Sequence, residues 1–148
     1  MTKIRRALAV AAATASAVVL ASSPASAAPN WQPWVPPANY KCGPTTPSAV
    51  SNNVIDQTCI AIASNGMSQA ILLVRNNSSV SITIDSARTY WYSDAGTTYH
   101  IATCEGKVVA PGELTACYGF TSWNSTGDQA QSYYLYNGVT SYTDRATL

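Results

Sequence analysis

Val80, Ile82 and Ile84 alternate with Ser81, Thr83 and Asp85, so one side of this stretch is apolar and the other polar. That period of two predicts a half-buried β-strand. Residues 69–75, QAILLVR, are apolar at successive positions and predict a central strand covered on both faces. Residues 58–63 form a short apolar run before Asn65-Gly66, and residues 88–92 carry Tyr90, Trp91 and Tyr92 up to the turn Asp94-Ala95-Gly96. Further strands are predicted over 97–103, 107–110 and 114–120, with Pro111-Gly112 suited to the centre of a type II turn. After a polar loop at 123–129, residues 132–136 and 139–143 flank Asn137-Gly138, which like Asn65-Gly66 is a two-residue hairpin signal. No amphipathic helical period follows residue 27. About eight short strands at regular spacing predict an all-β fold, an antiparallel Ig-like β-sandwich, with an open barrel as the alternative.

The stretch before these strands has a different character. Residues 29–40, PNWQPWVPPANY, contain Pro29, Pro33, Pro36 and Pro37. Proline removes a backbone donor and biases its N-terminal neighbour to extended chain, so an extended N-terminal arm is expected over 28–41. A polyproline helix repeats about every three residues, and on that repeat Trp31, Trp34, Pro37 and Tyr40 share one edge. Trp31, Trp34, Val35, Pro37 and Tyr40 are therefore candidate partner-binding residues. The alternative is that the indoles fold back over a groove in the same chain.

Residues 1–27 read as a secretory signal peptide. Lys3, Arg5 and Arg6 precede the alanine- and valine-rich run 7–20, and Ala25-Ser26-Ala27 suits a cleavage site. The run is short for a membrane span. Its removal changes the charge picture: three of the 8 basic residues leave, and five remain against 7 acidic ones, a formal net of −2 instead of +1. Such sparse, scattered charge offers no footprint for nucleic acid and none for a membrane surface.

Cys42, Cys59, Cys104 and Cys117 all lie in the expected mature chain. An even count in an exported protein predicts disulfides, and with one histidine and no C-x-x-C pair no metal site is expected. Of the three pairings, Cys42–Cys59 with Cys104–Cys117 closes two short local loops, each contributing about 3 kcal/mol in the chain-entropy model. Residues 42–148 are thus expected to form one disulfide-stabilised sandwich domain.

Candidate chemistry is thin. His100 is the one histidine, and in a predicted strand it reads as a sheet-face residue instead of a catalytic base. No nucleophile elbow or phosphate loop accompanies it, so neither an enzyme nor a cofactor is expected. Tyrosines crowd the second half, and tyrosine suits recognition surfaces as well as ordinary strands. Tyr92, Trp123 and Tyr134 are candidates for a second binding surface. Neighbours such as Tyr133 and Tyr134 must face opposite ways.

The alanine-rich signal, the proline–tryptophan arm, the two cysteine pairs and the segment 87–123, ARTYWYSDAGTTYHIATCEGKVVAPGELTACYGFTSW, resemble small secreted proteins of filamentous actinobacteria. Among these, the chain is similar to the small adaptor subunit of umbrella toxin particles. The resemblance implies an extracellular, non-enzymatic adaptor whose arm docks in the cleft of a lectin-bearing subunit. Its body would grip a large repeat-containing toxin chain. Two other functions fit the residues. A secreted protease inhibitor would use the loop before Cys59 or residues 107–113, and a carbohydrate-binding module would use the surface tyrosines.

Overall fold

The computed structural model describes residues 29–123 and 126–148; the expected signal peptide, 1–27, lies outside them. The described residues form twelve strands and no helix: β1 (Asn30–Pro33), β2 (Tyr40–Cys42), β3 (Thr46–Pro47), β4 (Val54–Ile62), β5 (Met67–Asn76), β6 (Ile82–Tyr92), β7 (Thr98–Cys104), β8 (Lys107–Val109), β9 (Leu114–Trp123), β10 (Gln129–Tyr136), β11 (Val139–Tyr142) and β12 (Ala146–Thr147). All pairings are antiparallel. One sheet, A, runs β1-β9-β5-β4-β2, with β3 also on β4; the other, B, runs β11-β10-β6-β7, with β12 on β10 and β8 on β6. The two runs expected at 80–85 and 88–92 are one strand, β6. Most of the strands beyond eight are short pieces of the arm and the C-terminal tail.

Period-two patterning decides what lies between the sheets. Leu72 and Val74 of β5 meet Ile84, Ala87 and Tyr134 of sheet B in one buried cluster, and Ile60, Ala70, Trp91 and Ala130 form a second. Asn137 and Gly138 both have positive φ, 51° and 72°, as a tight hairpin between β10 and β11 requires. Gly112 at 74° occupies the left-handed position of the Pro111-Gly112 turn. Both expected disulfides are present. Cys42–Cys59 joins register partners on β2 and β4, whereas Cys104–Cys117 links β7 of sheet B to β9 of sheet A with Cα atoms 6.1 Å apart.

The arm differs from the expected free rod. β1 adds to sheet A beyond β9, pairing Trp31 with Cys117, and β2 adds at the opposite edge, pairing Cys42 with Cys59. Residues 34–39 cross the outer face of the sheet between them, and the Ile62 amide donates to the Asn39 carbonyl as they arrive. Prolines permit this because their fixed φ is compatible with an edge strand, and Pro33 ends β1 where a missing amide costs no ladder bond. A strand period of two, not a polyproline period of three, then governs the tryptophans. Trp31 turns inward against the core cluster, and its Nε1 donates to the Glu105 carbonyl. Trp34 turns outward, over Cys59, Ile71, Leu73 and Ala116. The strap thereby buries the second face of β5, which accounts for its unbroken apolar run.

Candidate functional site

Residues proposed from the sequence fall in two places. Trp34, Val35, Pro37 and Tyr40 belong to the strap on the outer face of sheet A. Trp34 is half-buried, in an edge contact with Tyr40 at 5.7 Å and tilted against Tyr118 at 6.5 Å. Burial raises the Tyr118 phenol above its ordinary value, partly offset by a hydrogen bond with the Val35 backbone. Val35 remains 71 % exposed and Tyr40 44 %. Trp31 is removed from this surface by its inward orientation. The anchor expected from two indoles on one edge is therefore corrected: the two lie on opposite faces of their own sheet.

Tyr134 is corrected as well. It is fully buried between the sheets, where its hydroxyl donates to Asp56 at 3.0 Å. Along β10 the burial pattern alternates strictly, so Tyr133 is the member of the pair that faces out. Trp123 is exposed at the end of β9, beside the Gly66 turn.

Tyr92 leads to a surface that sequence reasoning assembled only in part. On the outer face of sheet B, Tyr90 and Tyr92 from β6, Tyr133 from β10 and Tyr142 from β11 form a continuous row. Ring centroids are 5.9 Å apart for Tyr90–Tyr92, 5.6 Å for Tyr90–Tyr133 and 5.5 Å for Tyr133–Tyr142. The first pair is within 13° of parallel. That pair is stacked with an offset, while Tyr90–Tyr133 and Tyr133–Tyr142 are tilted by 33° and 52°, so the four rings do not make one flat plane. Arg88 lies 6.0 Å over Tyr133 and Arg145 5.0 Å over Tyr92. The rings border an open depression of about 420 Å³, lined also by Gln131 and Thr140.

The electrostatics bind the row into one unit. A hydrogen bond with Tyr90, followed by burial, raises the Tyr133 phenol above its ordinary value. Burial raises Tyr92 too, against the pull of the Arg145 charge. The Arg88 guanidinium is held more firmly protonated by Tyr90 and then Tyr133. Tyr92 and Tyr133 are thereby held as neutral phenols and Arg88 as a cation. The signal for Arg88, Tyr90 and Tyr92 as a set was their spacing by two in one strand; Arg145 carried none, since it arrives from beyond β11.

The other candidate chemistry is dispersed. His100 is exposed on β7, in register with Trp91. The Asp56 carboxylate lies inside the sandwich, accepting from Thr46, Tyr134 and Ser141. Among the described residues no group of three His, Cys, Asp or Glu side chains is arranged to hold a metal ion. The segment before Cys59 is not a loop but the middle of β4. Residues 107–113 are tied down by a Lys107–Glu113 ion pair at 3.0 Å and by the Ala110 amide donating to Glu113. No protein-family model matches the chain, and no curated protein matches it.

Proposed function

We propose that the chain is a secreted, non-enzymatic adaptor that binds a partner protein through the tyrosine row of sheet B. The observation that carries this reading is the row itself: four contiguous phenols with two stacked guanidiniums on a sheet face that no other element covers among the described residues. Tyrosine and arginine are the residues in which interface energy concentrates, because they bury large area at small entropic cost and keep polar tips for hydrogen bonds. Rings tilted against one another by 33° and 52° offer no single flat platform for a polysaccharide, which favours a protein partner. A second surface, the strap with Val35 and Tyr40, lies on the opposite side of the sandwich, as an adaptor between two subunits requires.

The strand order supports the Ig-like assignment, with β4-β5-β9 in one sheet and β11-β10-β6-β7 in the other. Two disulfides suit an oxidising, extracellular setting. An antibacterial toxin particle is the proposed setting, with a large repeat-containing chain and a lectin-bearing chain as partners. The test is affinity capture from native culture fluid with the wild type and with Tyr90→Ser/Tyr133→Ser. The variant should stay folded and lose one partner. Capture of every partner at wild-type levels by the folded variant would remove the reading.

A further inference from the structure

Arg88 and Arg145 stand at opposite ends of the tyrosine row. Arg88 is the register partner of Tyr133, while Arg145 donates to Gln129, which pairs with Tyr92 four residues further along β6. At about 3.3 Å per strand residue, the two ends are separated by about 13 Å. Among the described residues neither guanidinium forms an ion pair; the ion pair present is Lys107–Glu113. From Ser86 to Tyr92 the outward positions of β6, and those of β10 and β11, carry no carboxylate; the exposed acid of β6 is Asp85, at the bulge three residues before Arg88 and beyond the end of the row. Asp144, the acid beside Arg145 in sequence, is exposed and forms no ion pair with it, and its charge is felt by the interior Asp56. A row of phenols with a guanidinium at each end is complementary to negative charge at two points.

We infer that the row receives an extended acidic segment of the partner protein, with carboxylates about four residues apart reaching Arg88 and Arg145. The inference rests on the sheet B face being the binding surface and adds the chemistry of its occupant. A guanidinium has five N–H donors, so after Arg145 donates to Gln129 and Arg88 engages the neighbouring phenols, donors remain for a planar carboxylate. Phenol hydroxyls along the depression can meet the backbone of the segment between the two acids. The weakly acidic net charge of the remaining chain leaves this face as a local exception, so the attraction is directional.

The experiment measures binding of three probes to the full mature chain by calorimetry at low and high salt. They are a peptide with two glutamates four residues apart in a Gly/Ser/Thr background, the same peptide with glutamines, and polygalacturonate. The expected result is that the glutamate peptide binds, and the glutamine peptide binds at least about tenfold more weakly. Arg88→Glu/Arg145→Glu, with an unchanged melting temperature, should remove the difference. Equal binding of both peptides, binding of neither, or binding of polygalacturonate in their place overturns the inference. Its failure is separable from that of the parent reading: native partner capture that depends on Tyr90 and Tyr133, but not on the arginines or salt, keeps the face and discards the acidic occupant.

Discussion

The phenol of Tyr134 on β10 donates to Oδ2 of Asp56 on β4 at 3.0 Å, tying the two sheets together through the middle of the sandwich. Ser141 and Thr46 complete the carboxylate's partners, so a charged group with 1 % exposure is held by three hydroxyls. Removing one donor leaves the acid partly unpaired. Tyr134→Phe should therefore cost about 1–3 kcal/mol in urea denaturation, without loss of fold. An unchanged midpoint would mean that the bond contributes nothing net.

The same carboxylate gives stability a pH dependence. Burial raises Asp56 above its usual 3.8, outweighing the three hydroxyl bonds. The native state then holds this proton to higher pH than the unfolded chain. Its contribution is full below 3.8, declines as pH rises through the native value, and is flat above it. Wild-type stability relative to Asp56→Asn should fall over that window when denaturation is followed from about pH 3 to about pH 7. A difference that rises with pH has the wrong sign for this account.

Trp34 holds the strap to the outer face of sheet A. Trp34→Ala should cost about 2–3 kcal/mol, less than a full core truncation because the ring is half-exposed. Amide exchange should quicken in β2 and at the Ile62–Asn39 bond before it changes in β5. Wild-type exchange throughout the arm would show that the indole is not what fastens it.

The disulfides act on different parts. Cys104→Ala/Cys117→Ala severs the covalent link between sheets, and Cys42→Ala/Cys59→Ala frees the end of the strap. Their loops are similar, with sequence separations of 13 and 17, so each pair should cost about 3 kcal/mol. Proteolysis should then distinguish them: only the second variant should be clipped selectively near residues 34–42. Equal clipping there in both variants would contradict the division.

Much of the body was legible because its strands obey local rules. Residues 80–85 alternate, 69–75 do not, and the Asn-Gly pairs mark the hairpins, so the all-β order follows from the chain alone; short loops favoured the disulfide pairing that the structure has, but the sequence left the other two open. The arm was misread because extended proline-rich chain is compatible with either a free polyproline rod or an edge strand. Only long-range pairing with Cys117 and Cys59 decides which period the tryptophans follow. Tyr134 was placed outside for want of a phase: alternation separates it from Tyr133 but does not say which faces the core. The row across sheet B depends on register between β6, β10 and β11, and on Arg145 returning from the tail, and neither is written locally.

The most direct measurement is hydroxyl-radical footprinting of the free chain and of the complex isolated from culture fluid. Oxidation of Tyr90, Tyr92, Tyr133 and Tyr142 should drop together in the complex, while interior Tyr134 stays equally protected in both. Undiminished oxidation of those four, with protection confined to the strap or absent, would contradict the claim that the tyrosine row of sheet B is the docking face.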